Sequence, residues 1–156
     1  MNRLRLRIAG HRSPSSEIAE YVAQLARRTG LSPSQQYRLR LAADELAANV
    51  TEHGYRSRGG ILDLDWGETP DSVWLSIEDD APPFDPTRLS VRAARSTRLI
   101  GSGAAGPVVS TTGRIGGYGV QLALSCADEF RYDHADGRNR STLLVHRNRT
   151  DRRGHR

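Results

Sequence analysis

The chain has 156 residues, 37% of them hydrophobic and 26% charged, which suits one globular domain with a core of its own. Its net charge is +5 at neutral pH, and all 23 basic residues are arginine. The single Cys126 excludes an internal disulfide or a thiolate metal cluster, no apolar run approaches a membrane span, and no signal-peptide core opens the chain, so the expected location is the cytoplasm.

The arginines are scattered, apart from a tail beginning at Arg147. The few aromatics are not interleaved with them as a base-stacking platform requires. The basic balance fits an acidic protein partner or a phosphate at least as well as nucleic acid, and a nucleic-acid module ranks behind both. The tail over 148–156 is expected to be solvated and disordered.

In chain order, Asn2 to Ala9 alternates, with Leu4, Leu6 and Ile8 on one face and Arg3, Arg5 and Arg7 on the other. That predicts a half-buried edge strand whose arginines face water or a partner. Ser15 or Ser16 is the expected cap of a helix reaching about Arg28, with Ile18, Val22 and Leu25 inward and Gly30 as its stop. Ser32-Pro33 starts a second helix, Ser as N-cap and Pro in the first turn, running to about His53.

Gly59-Gly60 breaks the chain. Ile61, Leu62, Leu64 and Trp66 make a strand, Gly67 to Asp71 a turn, and Val73, Trp74, Leu75 and Ile77 the returning strand of a hairpin. Glu78 to Pro86 leaves the sheet, because its three prolines are incompatible with regular structure. A stretch rich in Arg, Ser, Ala, Gly and Thr follows from Thr87 to Gly113; one that long without a period is a functional lid or disorder. A helix from about Val120 to Cys126, a strand from Glu129 to His134, a turn at Asp136-Gly137 and a strand from Ser141 to His146 complete the order. The fold class is α+β, a two-layer sandwich with helices on one face of a mixed, mostly antiparallel sheet, in one domain over 1–147.

Within the second helix, Glu45 and Asn49 stand four residues apart, with His53 four further on, so they form one polar stripe. Leu39, Ala42, Ala43, Leu46, Ala47 and Val50 form the opposite, apolar face. Such an oxygen pair suits a hard cation or a proton relay; a solvated helix face is the other reading. Asp79 ends an apolar strand, where a carboxylate can accept from an exocyclic amine such as that of adenine or serve as an ordinary turn residue.

Two glycine-rich stretches compete for a phosphate. Gly101 to Gly106 fits G-x-G-x-x-G, but no strand precedes it and Pro107 follows it, so it is not a dinucleotide fingerprint. A Walker A loop is excluded by the absence of lysine. Gly116-Gly117-Tyr118-Gly119 immediately precedes a helix, with Arg114 beside it, and suits either an anion or a plain helix start.

The ordered set resembles the Bergerat-fold ATPases, and in length and detail the anti-sigma-factor serine/threonine kinases. Glu45-x-x-x-Asn49 with His53-Gly54-Tyr55 resembles their N box, Asp79 to Pro86 their first glycine box, and Arg114 to Val120 their second. The resemblance covers nearly all of Leu4 to Val145. It implies that Glu45 is the general base, Asn49 the magnesium ligand, and Asp79 the partner of the adenine amine. It further implies that Gly116, Gly117 and Gly119 let the backbone approach the phosphates of ATP, with Arg114 as a charge partner, and that His53, Ala81 and Phe84 line the nucleotide site. Ala81 departs from the family's glycine, and a Cβ there disfavours positive φ. The activity implied is transfer of phosphate from ATP with Mg2+ to a Ser or Thr of a STAS-domain anti-anti-sigma partner, with a sigma factor as second partner and a homodimer as the usual state. The competing reading is a non-catalytic switch acting by contact alone.

Overall fold

The computed structural model describes residues 2–10, 12–88 and 118–147. The elements are β1 (Leu4–Ile8), α1 (Ser15–Thr29), α2 (Pro33–Asn49), β2 (Gly60–Glu68), β3 (Ser72–Asp79), α3 (Tyr118–Cys126), β4 (Glu129–Ala135) and β5 (Arg138–His146). The five strands form one sheet in the order β1-β2-β3-β5-β4. All four pairings are antiparallel, where a mixed sheet was expected. The long excursion after β3 passes through α3 and β4 and returns β5 beside β3 in the opposite direction.

Alternation decides which face is which. Leu62, Leu64 and Trp66 of β2, Val73, Leu75 and Ile77 of β3, and Leu143 and Val145 of β5 are all buried. They pack with Ile18, Val22 and Leu25 of α1, with Leu39, Ala43 and Leu46 of α2, and with Ala123 and Cys126 of α3. Each fully buried aliphatic side chain in this layer contributes about 1.5–3 kcal/mol relative to exposure. Cys126 is a buried free thiol, as the apolar helix pattern implied.

The outer face of the sheet carries charge. Arg5 of β1 is the register partner of Asp63 and grips it with two hydrogen bonds, of 2.7 and 2.9 Å. Arg3 and Arg138 reach the same carboxylate at 3.2 and 2.9 Å, and Arg138 also meets Glu78 and Asp80. Arg3 and Arg5, expected to face water or a partner, thus bind their own sheet.

Local chemistry sets the helix ends. Ser32 caps α2 in a reciprocal box with Gln35, whose side chain also donates to the carbonyl of His146 at 2.8 Å. Gly30 ends α1 in the left-handed region at φ 69°, donating to Ala26 O. The expected serine cap of α1 is absent. Pro14 holds the cap position, and the Ser15 hydroxyl donates instead to Asp44 Oδ1 of α2 at 3.1 Å, tying the two helices together.

The α-helical part of α2 also stops earlier than expected, at Asn49. Val50–Gly54 forms a π-helical turn, closed by the Tyr55 N–H donating to Val50 O at 2.7 Å. The Thr51 hydroxyl donates to Ala47 O at 2.9 Å, a back-bond of the kind that bends helices. The last strand begins at Arg138 rather than Ser141, because β5 pairs with β4 from Arg138 and with β3 from Asn139.

Candidate functional site

The stripe on α2 survives folding in modified form. Glu45 and Asn49 are both half-buried on the same helix face, one turn apart. The π turn then shifts the phase, so that His53 lies exposed on the rim of a cavity that Asn49 also lines. Single π turns recur at functional sites because they re-aim side chains that an α-helix would hold in register.

Across this cavity sits Asp79, the last residue of β3, only 4% exposed. Its Oδ1 accepts from the Ala81 N–H at 2.9 Å and from Asn139 Nδ2 at 2.8 Å. Both of these bonds fall on one oxygen, leaving Oδ2 for another donor. Burial pushes the Asp79 carboxyl above its usual range, with neighbouring Asp80 acting in the same direction. The two hydrogen bonds and Arg138 oppose the shift without cancelling it.

The cavity has a volume of about 170 Å³ and is lined by Asn49, His53, Asp79, Ala81, Phe84 and Asn139, among others. Ala81 is buried, and its φ is not in the left-handed region, so the alanine carries no backbone penalty there. Its methyl is accommodated by Gly54: a Cβ at Gly54 would stand 2.8 Å from that of Ala81. The departure from glycine at one position is therefore matched by glycine at the other. Phe84 is 36% exposed at the mouth, with its N–H directed to the Tyr132 hydroxyl at 3.1 Å.

Glu45 lies one turn back along α2, where α2 packs on α3. Gly119, expected in the loop before α3, lies in its first described turn. A Cβ there would fall on Glu45 Oε2, so only glycine lets the carboxylate approach this backbone. Arg114, Gly116 and Gly117 lie outside the described residues, as do most of the expected lid and the tail over 148–156. Pro86 opens a helical turn over 86–88, the helix position that proline tolerates.

Two residues at the site, Tyr55 and Asn139, were given no role of their own from the sequence. Tyr55 lays its ring on Gly60 and donates its hydroxyl to Ile61 O at 2.6 Å while accepting from the Asp80 N–H at 2.9 Å. It ties the end of the π turn to β2 and to the residue that follows Asp79. Asn139 is the register partner of Asp79 and is 4% exposed. One signal for Asn139 was present: it occupies the inward series of Ser141, Leu143 and Val145, and a polar residue there needs partners.

The described site is thus a buried aspartate at a strand end, facing an Asn-bearing helix across a cavity, on an α+β sandwich. Residues 14–145 match the histidine kinase-like ATPase domain, and the chain belongs to that family. Among solved structures, the RsbU and RsbW domains of Rv1364c from Mycobacterium tuberculosis are similar at a TM-score of 0.53 and 16% identity, over 94% of this chain and 33% of that one. The SiaB-SiaC complex from Pseudomonas aeruginosa gives a TM-score of 0.48 and 14% identity, over 91% and 88% of the two chains. At 16% identity the likeness to the first of these is one of fold, and the chain spans about a third of that structure. No curated protein sequence matches it. No described helix is long and apolar enough to cross a membrane.

Proposed function

We propose that the chain is an ATP-dependent regulatory kinase of the anti-sigma-factor type. In this reading it phosphorylates a Ser or Thr of a STAS-domain partner, holds a sigma factor in turn, and works as a homodimer. The observation that carries the reading is Asp79. It is nearly sealed from water, its two neutral donors both fall on one oxygen, and it lines a cavity together with Asn49. A carboxylate so placed accepts a hydrogen bond from the amine of adenine.

The donor set fits magnesium. Among the described residues no group of three or more His, Cys, Asp or Glu forms a metal cage. The ion of phosphoryl transfer needs only one or two protein oxygens, since phosphates and water supply the rest. Asn49 would provide the carboxamide oxygen, and the ion would neutralise charge on the phosphates. Glu45, held against Gly119, would take the proton of the incoming hydroxyl. Arg114, Gly116 and Gly117 are assigned to the phosphates on their motif alone.

Phosphate transfer from labelled ATP to the STAS protein encoded nearest in the genome tests the proposal. Glu45→Ala is expected to lower transfer by about 10²–10⁴-fold with ATP binding retained. Unchanged transfer in that variant removes Glu45 as base. Tight ATP binding by the wild type with no transfer to any cognate partner supports the contact-only switch instead.

A further inference from the structure

We propose that Asn139 is a positioning residue that sets the base selectivity of the site, by holding Asp79 as a one-sided acceptor. The inference rests on the nucleotide reading above and deepens it. Asn139 Nδ2 donates to Asp79 Oδ1 at 2.8 Å and to Ala81 O at 3.0 Å, with Pro82 O at 3.3 Å. Its Oδ1 accepts from the Tyr132 hydroxyl at 2.6 Å and from the Phe84 N–H at 3.3 Å. A flipped carboxamide would set its oxygen against Asp79 Oδ1 and the Ala81 carbonyl and leave the Phe84 N–H facing a donor. The polarity of the group is therefore locked from both ends.

That lock has a chemical consequence at Asp79. With Oδ1 occupied by Asn139 and Ala81, the oxygen left for a ligand is Oδ2. An ionised carboxylate takes only donors, so where the purine 6-position faces Asp79 the exocyclic amine of adenine is accepted and the O6 of guanine is refused. The charged and titratable groups around Asp79 are Asp80 beside it, Arg138 on β5, the phenols of Tyr55 and Tyr132, and His53 and Arg56 on the cavity wall. Burial and Asp80 favour the protonated form, while Asn139, the Ala81 N–H and Arg138 favour the ionised one. Without Asn139 the carboxyl turns more freely and takes up a proton more readily. A protonated Asp79 donates, and guanine O6 becomes an acceptable partner.

The test is calorimetric titration of ATP and of GTP, with magnesium, into the full chain, its Asn139→Leu variant and its Tyr132→Phe variant. Asn139→Leu is expected to lower the preference for ATP over GTP by about tenfold or more, with the larger fall at the more acid pH. Tyr132→Phe, which removes one of the two donors to the carboxamide oxygen, is expected to lower it less. Equal weakening of both nucleotides, or an unchanged ratio, assigns Asn139 a purely structural role and overturns the inference. If Asn139→Leu does not fold, as judged by circular dichroism, an unchanged ratio in Tyr132→Phe overturns it. A wild type that binds neither nucleotide defeats the underlying reading, an outcome distinct from a selective wild type with an equally selective variant.

Discussion

Asp63 and Asp79 stand on neighbouring strands, one register position apart on opposite faces of the sheet, and are nearly sealed from water at 2% and 4% exposure. Their partners are opposite in kind. Asp63 is met by three guanidinium groups that engage both its oxygens, and they hold its carboxyl far below the usual range. Asp79 is met by an amide N–H and a carboxamide on one oxygen, and burial pushes its carboxyl up. Equal burial thus yields a structural anchor in one case and, in the function proposed above, a site for a donor ligand in the other. The deciding quantity is whether the protein has already used the oxygens.

The sharpest way to break this comparison is to exchange the side chains' consequences. Asp79→Ala is expected to cost about 10–100-fold in ATP affinity by calorimetry, the worth of a hydrogen bond to a charged group. Asp63→Asn is expected to leave that affinity within about twofold, since its oxygens have no role at the cavity. Its effect is expected in urea unfolding, as a loss of about 2 kcal/mol. That is below the cost of breaking a fully buried pair, because the arginines remain partly in water.

A smaller effect probes the support of Asp79. Gly54→Ala drives a methyl against Ala81, whose N–H donates to Asp79, and is expected to cost about 1–2 kcal/mol of stability together with some ATP affinity. The double variant Gly54→Ala with Ala81→Gly is expected to recover most of both. Failure to recover would mean that the two positions are not coupled.

The smallest effect is in the pH dependence of folding. The Asp79 carboxyl lies above its ordinary value in the folded chain, so its contribution is fully present below about pH 4 and is lost as pH rises through the raised value. The Asp63 carboxyl lies below its ordinary value, so its contribution is full above about pH 4 and is lost as pH falls through the lowered one. Denaturation series in acid are expected to show Asp79→Asn flattening the profile just above pH 4 and Asp63→Asn flattening it below, both about pH 4 as the ordinary carboxylate value. The same flattening in both variants would erase the distinction.

Much of the scaffold was legible before folding. Gly30, the Ser32–Gln35 box with Pro33, and the Asp136-Gly137 turn act within a few residues of themselves, so their chemistry is local. The alternation of Leu62, Leu64 and Trp66 announced a sheet with one buried face. Among the candidate site residues, Asn49, His53, Asp79, Ala81 and Phe84 line one cavity, and Glu45 and Gly119 meet beside it. The phase change after Asn49 was not legible, because a π turn differs from an α turn in one hydrogen bond and no residue there forbids either. Ser15 reads as a cap in isolation, and only the packing of α1 on α2 gives it Asp44 as a better acceptor.

By itself the sequence determined which segments are helix and strand, which faces are apolar, and where the motif residues stand along the chain, since periodicity and capping are properties of neighbours. Only the tertiary structure decided which partners each buried carboxylate meets. Asp63 and Asp79 both read as acidic residues in apolar strands, and the side chains that bond them lie far along the chain, in β1 and β5. A charge takes its chemistry from what desolvates it and what bonds it, and those groups meet only when the sheet closes.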